Sequence, residues 1–451
     1  MNCELCIADN VKEFIEKHLK DDVNRLALAK FPEGIDREFV IRQIHARQVL
    51  SKKLPSWAEN DELVFPKKLS LEQCSSELTA KYKAELLSTK LHEITRREFS
   101  EDSCSLADEK RILIDLTGGM GVDTAFLSDN FDKTYYVEMQ EELCEIAKHN
   151  FNILNKNIEV VNDNAEHFLT ICDEVDCIYL DPARRDEYGR KMVSLHDCSP
   201  DVVELHDLLV KKAKRVLVKV SPMLDIEMVK KELKDISEIH VVAVRNECKE
   251  ILIEIQKFRN SETQDFETQR LKDADNDFTT SINVTATDLR EGWNFSYAEN
   301  EELEAQWTLA DNVGRYLYEP GAACMKAGCF KLLSQRYGLD KLHRNSHLYT
   351  SDDLIPDFPG RIFEVVNVVP FDKKTKKNIW TLDFEDAKTQ RKSLSLCDSA
   401  TFKKANVAVR NFPLSAEELK KNLGLQDGSD FYIFGSTMKG EKKVVVLTKK
   451  V

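Results

Sequence analysis

The chain changes its hydrophobic period near residue 111. Before that point, apolar residues recur at spacings of three and four in VKEFIEKHLKDDVNRLALAKF, in EFVIRQIHARQVLSKKL and, after the turn-like FPKKLS, in LEQCSSELTAKYKAELLSTKLHEI. Such spacing predicts helices with one buried face. From Arg111 short apolar runs take over, RILIDL, TYYVEM, IEVVND, CIYLDP and RVLVKV, separated by helical stretches, and the series closes with IHVVAV and EILIEI a few polar residues apart. Alternating strands and helices predict a mostly parallel sheet covered on both faces, with the closing pair a hairpin that adds one antiparallel strand.

The alternation stops near Phe258, where an acidic connector without clear period begins. It leads to GRYLYEPGAACMKAGCFKLL and LYTSDDLIPDFPGRIFEVV, rich in Gly, Pro and Tyr, and then to a run of strands and one helix: IWTLDF, ANVAVR, LSAEELKKNL, DFYIFG and KKVVVLTKK. The expected organisation is a helical region over 1–100, a doubly wound α/β domain over 101–260, a connector and small α+β module over 261–371, and a second small α+β module over 372–451. A length of 451 residues, at about 150 per domain, agrees with several cores.

Charge is unevenly placed on a chain whose net charge is −14. Ser261–Asp311 holds 3 Lys/Arg against 13 Asp/Glu, whereas Asp372–Val451 holds 17 against 10. The basic end reads either as a local anion-binding face or as an ordinary solvated surface. No run approaches the roughly 20 apolar residues of a membrane span, and the first 30 residues do not form a signal peptide, so a soluble cytoplasmic protein is expected. Twelve cysteines scattered singly, several in apolar runs (Cys172, Cys177, Cys329), read as reduced thiols. Cys3 and Cys6 form one CxxC with no second pair at zinc spacing, so no metal site is expected.

The loop DLTGGMGVDT follows RILI directly. In doubly wound sheets ligands bind at the carboxyl ends of strands, so Gly118, Gly119 and Gly121 belong at that crevice, where they allow positive φ and close approach of backbone to ligand. A P-loop would need a Lys after the last glycine, and a dinucleotide fingerprint would need a glycine where Thr124 stands. The dinucleotide reading, and with it a dehydrogenase, must also accept Asp115 beside a pyrophosphate. Two like charges about 4 Å apart repel by about 4 kcal/mol at an effective dielectric near 20. A cationic ligand without phosphate, S-adenosyl-L-methionine, turns that cost into a gain. Glu138 ends the second strand 23 residues after Asp115, where a carboxylate can accept both ribose hydroxyls, and Asp163 and Asn164 follow the third strand in position for an adenine edge.

On these residues, Arg111 to about Ile255 resembles a class I S-adenosylmethionine-dependent methyltransferase. The resemblance implies a Rossmann-like, hairpin-ended seven-stranded sheet, and cofactor contacts from Asp115, Thr117, Gly118, Gly119, Gly121, Asp123, Glu138, Met139, Asp163 and Asn164. The fourth strand runs into Asp181-Pro182-Ala183-Arg184, at the place where methyltransferases of exocyclic base amines carry [DN]PP[FYW]. There the carboxylate and the proline carbonyl accept N–H bonds and help the amine towards a nucleophilic geometry. Asp181, Pro182 and Arg184 are accordingly the candidate catalytic residues. Ala183 stands for the second proline and Arg184 for the stacking aromatic, so the methylated atom does not carry over. The bland alternatives are a helix cap at Asp181 and surface charge at Arg184 and Arg185 answering Asp186 and Glu187.

The flanks extend the resemblance. EQCSSELTAKYKA, RYLYEPGAACMKAGCFKLL and HLYTSDDLIPDFPGR are similar to a group of bacterial methyltransferase-like proteins with a ferredoxin-like module and a C-terminal THUMP-like domain. THUMP domains bind RNA, which implies RNA, transfer or ribosomal, as partner and substrate. Glu72, Gln73 and Ser75 are placed to cover the cofactor or simply to start a helix, and Ser221 and Pro222 to line the crevice or to make a turn. Phe402, Phe412, Phe431 and Tyr432 read as core. The readings left open are an RNA methyltransferase, a methyltransferase of protein or small molecules, and a non-catalytic RNA-binding protein that keeps the fold.

Overall fold

The computed structural model of the protein describes residues 7–98, 110–184, 194–256, 281–379, 381–385, 391–395 and 404–451. Two compact units are present, one of Met1–Glu238 with Ile251–Phe278 and one of Ile239–Glu250 with Thr279–Val451.

The larger sheet contains the strands β1 (Ile112–Asp115), β2 (Lys133–Glu138), β3 (Ile158–Asn162), β4 (Val175–Leu180), β5 (Ala213–Val220), β6 (Ile236–Val244) and β7 (Glu247–Ile255), of which Ile239–Glu250 belongs to the second unit. They lie side by side as β3-β2-β1-β4-β5-β7-β6. The β1–β2, β2–β3, β1–β4 and β4–β5 pairs are parallel, and β7 runs antiparallel to β5 with Val216 opposite Ile255 and Val220 opposite Ile251. These seven strands have the hairpin-ended arrangement that the alternation and the resemblance predict, within a sheet of nine. In β4 every residue but Asp176 is buried, as expected of a strand covered on both faces. Helices Glu141–Ile153, Val202–Lys212 and Ile226–Glu232 supply that cover; the last two start on Asp201 and Asp225, whose carboxylates accept the first-turn amides.

One buried polar pair within this sheet spans β5 and β7. Arg215 donates from Nε and Nη2 to the two oxygens of Glu254, both at 3.1 Å, with both side chains nearly sealed from water.

The N-terminal helices Asp9–His18, Arg37–Lys53 and Glu77–Glu98 lie where the 3.6-residue period predicts them. Their core is continuous with that of the sheet domain. Ala46, Leu50, Leu54, Trp57, Leu63 and Phe65 pack with Met120, Val122, Tyr136 and Phe151, and Asn150 closes the seam by donating to Val64 O and accepting from Val64 N. The stretch LEQCSSELTAKYKAELLSTKLHEI, expected as one helix, is two. Helix Lys68–Gln73 ends at Cys74, which turns to extended backbone, and the Ser76 hydroxyl accepts from Thr79 N at 3.3 Å to begin the next. Serine side chains compete for backbone amides in this way and break a helix that periodicity alone would run through.

In the second unit the expected featureless connector contains the hairpin Asn283–Asp288/Trp293–Ala298. Val284 and Ala286 are buried and alternate with polar residues, of which Thr285 bonds Ser296 across the pair at 2.9 Å. A second sheet of seven strands includes Tyr316–Pro320, Gly360–Pro370, Lys443–Lys450, Phe431–Thr437 and Asn406–Arg410 in that order. The two small modules thus share one sheet. Glu319, buried, joins them by accepting from Arg361 and from Arg410 Nη2, the latter at 2.6 Å. Phe412 and Phe431 pack with Leu419 and Ile433, and Tyr432 with Phe363, so these rings belong to the core as read; Phe402 lies outside the described residues.

Removing one member of the Arg215–Glu254 pair strands a buried charge. Arg215→Met should lose about 3–5 kcal/mol in urea unfolding, while adding Glu254→Leu should recover most of it; a double variant no more stable than the single would refute the pairing as the cause.

Candidate cofactor and acceptor site

The chain leaves β1 at the point where the sheet's strand order reverses, with β2 on one side and β4 on the other, which is where open α/β sheets bind ligands. A cleft of about 270 Å³ opens there. The glycine loop forms its floor, and each glycine has a separate reason. A Cβ on Gly118 would lie 2.2 Å from the Tyr136 ring, and one on Gly121, at φ +80°, 2.7 Å from Phe151. Gly119 takes φ +55°, and a Cβ there would meet Thr117 O at 3.7 Å, an ordinary contact. Tyr136 then fastens the loop by donating its hydroxyl to Gly119 O at 2.6 Å.

The carboxylates complete the loop. Glu138 accepts from Gly119 N at 3.0 Å and from Gln140 N at 2.9 Å. Asp115 accepts from Thr117 N at 3.0 Å and from the Thr124 hydroxyl at 2.6 Å. Thr124 therefore occupies the third glycine position of a dinucleotide fingerprint because its hydroxyl is used. Asp163 pairs with His167 Nδ1 at 2.6 Å, which holds its carboxyl below the usual range, and Asn164 caps the helix Ala165–Ile171 by accepting from His167 N at 2.7 Å.

Asp115 differs from the sequence reading in one respect. It is buried, turned into the loop, and pushed up to about 7 by that burial, against the bonds from Thr124 and Thr117. Its charge is therefore weakened at neutral pH, so it cannot alone set a preference for cations. The preference rests on the whole wall. Asp115, Asp123, Glu138, Asp163, Glu166 and Asp181 line the cleft, and among the described residues no Lys or Arg does. A diphosphate would find backbone amides but no counter-charge, whereas a sulfonium and an ammonium meet several carboxylates. The donors present fit S-adenosylmethionine on this chemistry.

All ten residues expected at the cofactor, Asp115, Thr117, Gly118, Gly119, Gly121, Asp123, Glu138, Met139, Asp163 and Asn164, line this one cleft, as does Asp181. Pro182 does not, although its neighbours Asp181 and Ala183 do. Ala183 and Arg184 form a two-residue strand against Cys198 and Ser199, so Asp181 leads into extended backbone and does not cap a helix. The Arg184 side chain, Arg185, Asp186, Glu187, Cys3 and Cys6 lie outside the described residues. Among those described, no His, Cys, Asp and Glu cluster suits a metal ion. Ser70, Gln73, Cys74 and Ser75 supply a wall from the N-terminal region; Glu72, Ser221 and Pro222 do not reach the cleft, and Ser221 instead holds a turn by accepting from Met223 N.

Sequence reasoning missed the polar cluster behind this wall. Asp123 accepts from Ser75 Oγ and Tyr179 Oη, both at 2.7 Å, and lies 3.2 Å from Lys83 Nζ and 3.5 Å from Lys219 Nζ. Lys219 Nζ also lies 2.5 Å from Asp181 Oδ2. The sole local signal was a lysine in each of two apolar patterns, on helix Glu77–Glu98 and in β5.

Comparison with known proteins agrees with this geometry. Residues 316–359 match a ferredoxin-like domain and residues 385–450 a THUMP domain-like family. Over 100% of this chain and 99% of the other, the fold is similar to a crystal structure described as a "putative methyltransferase" from Porphyromonas gingivalis W83, with 29% identity and a TM-score of 0.77. An rRNA methylase from Streptococcus thermophilus is similar over 33% of this chain and 89% of its own, at 18% identity and a TM-score of 0.26. A Streptococcus mutans protein described in the same terms as the first, in complex with SAH, is similar over 33% and 90%, at 18% identity and a TM-score of 0.26. No curated protein matches. The chain thus has a methyltransferase fold followed by ferredoxin-like and THUMP-like segments.

The loop geometry makes two measurable demands. Gly118→Ala should destabilise the protein by about 1–3 kcal/mol, and less in a Tyr136→Val background, as read by denaturant unfolding. Asp115 keeps its proton in the folded state up to about pH 7, while the unfolded carboxyl releases it near pH 4, so its burial costs stability as pH rises between those values. Asp115→Asn should therefore gain on the parent by up to roughly 4 kcal/mol from pH 4 to pH 8; a difference independent of pH would contradict the assignment.

Proposed function

We propose that this protein is an S-adenosylmethionine-dependent methyltransferase that methylates a nitrogen of an RNA base. The observation that carries the reading is the cleft wall, which combines a glycine loop, six carboxylates and no described basic side chain, with Asp181 at its edge. S-adenosylmethionine supplies there a methyl group on a sulfonium, whose departure leaves a neutral thioether.

The chain's own residues account for the rest. Glu138 and Asp163 retain lone pairs for hydroxyl and amine donors, and Asn164 stands at the cleft end where an adenine edge would lie. Thr117 fixes the acceptor end by taking the Asp181 amide on its hydroxyl at 2.6 Å. Asp181 then offers carboxylate oxygen to an N–H, which favours attack by the amine lone pair and receives the proton it sheds. The Pro182 carbonyl and the Arg184 guanidinium are assigned to the same end of the substrate, as second acceptor and as stacking or phosphate contact. The THUMP-like segment and the excess of basic residues after Asp372 support RNA as the partner.

The test is to incubate the full chain with tritiated S-adenosylmethionine and total cellular RNA, DNA and protein, and to count each fraction. Label should enter RNA, and Asp181→Ala should lower it about 100-fold or more with cofactor affinity little changed. Label confined to the protein fraction would select the other methyltransferase reading, and tighter binding of NAD than of S-adenosylmethionine would remove both.

A further inference from the structure

Lys219 stands behind Asp181, outside the cleft lining but against its acceptor carboxylate. Its ammonium lies 2.5 Å from Asp181 Oδ2, donates to Ser75 Oγ at 3.1 Å and lies 3.5 Å from Asp123 Oδ2. Lys83 reaches the same group from helix Glu77–Glu98, at 3.1 Å from Ser75 Oγ and 3.2 Å from Asp123 Oδ1. Both lysines are buried, so neither swings freely into solvent. With Asp181 Oδ2 held by Lys219 and the Asp181 amide held by Thr117, Oδ1 is left to meet a substrate; none of the described residues bonds it.

The charges matter as much as the geometry. Facing Asp181 are two ammonium groups, Lys219 and Lys83, and one paired carboxylate, Asp123; Tyr179 donates to Asp123, and burial reduces the charge of Asp115. The two ammonium groups thus match Asp181 and Asp123. An amine-binding site for an alkylammonium needs an uncompensated carboxylate to hold the cation and to take its proton before the nitrogen has a lone pair to attack with. At this end of the cleft Asp181 and Asp123 are each matched by a lysine, whereas a neutral N–H donor with a lone pair needs only an aimed acceptor oxygen.

We propose that Lys219 is a positioning residue that selects the acceptor: by clamping Asp181 Oδ2 and cancelling its charge, it tunes the site to the neutral N–H of an aromatic amine and against an alkylammonium such as a protonated lysine side chain. The proposal rests on the methyltransferase reading and names the acceptor chemistry of the same site. It also explains why a lysine interrupts the apolar strand RVLVKV one residue from its end.

The test has two arms on the full chain. In the first, aspartate carboxyls are labelled with carbon-13, the Asp181 signal is assigned by its loss in Asp181→Asn, and its titration is compared between parent, Lys219→Met and Lys219→Gln. Both variants should raise the midpoint by a pH unit or more, a tenfold change in proton affinity; an unchanged midpoint overturns the clamp. Thermal melts and S-adenosylmethionine affinity report folding, and Lys219→Gln keeps the question open to measurement if Lys219→Met does not fold. In the second arm, tritiated S-adenosylmethionine is offered with total RNA or with polylysine. The parent should label RNA, and the RNA-to-polylysine ratio should fall at least tenfold in the variants. Preferential labelling of polylysine by the parent overturns the selection. Label in neither polymer removes the transferase reading and the selection with it, while a shifted midpoint would still establish the Lys219–Asp181 pair.

Discussion

The first unit depends on one buried anion. Asp123 sits in the first turn after the glycine loop and has almost no access to water. Isolated, a carboxylate in that position would cost several kcal/mol or give up its charge. Burial alone would raise its pKa; Lys83 and Lys219, with hydroxyl bonds from Tyr179 and Ser75, overcome that and hold it well below the ordinary range. Each partner comes from a different element: Lys83 from an N-terminal helix, Ser75 from the break before it, Tyr179 from β4 and Lys219 from β5. The helical region is therefore tied to the sheet by charge as well as by the apolar core around Trp57 and Phe151.

This hub sets the form of the cleft on both sides. Through Ser75 it draws the segment Ser70–Ser75 against the cleft, so a wall of the site comes from the region that precedes the sheet domain in sequence. Through Lys219 it reaches Asp181 at the acceptor end. Asp115, eight residues before Asp123, has the opposite electrostatics, since burial dominates its few hydrogen bonds and raises its pKa. A depressed carboxyl stabilises the fold above its unfolded pKa and loses that contribution on acidification, while a raised one does the reverse. The loop between them carries two opposed proton linkages in a single turn and helix start.

Much of this was legible in the chain. Seven strands of the first sheet, their hairpin end and the glycine crevice followed from local pattern, because apolar period and glycine placement act over a few residues. The hairpin 283–288/293–298 lies outside the strands read from the sequence, although NVTATD and WNFSYA carry the two-residue alternation of half-buried strands. The break at Cys74–Ser76 was not legible, because side-chain hydroxyls there compete with the helix that apolar spacing predicts.

Sequence by itself determined the strand–helix alternation, the crevice and the carboxylate-rich loop, since each is set by the nearest neighbours along the chain. Only the tertiary structure decided which charges survive there. It neutralised much of Asp115 by burial, gathered Lys83 and Lys219 around Asp123 from positions 136 residues apart, and placed one of them against Asp181. Such pairings depend on distances through space and on exclusion of water, and neither quantity is written in the spacing of residues.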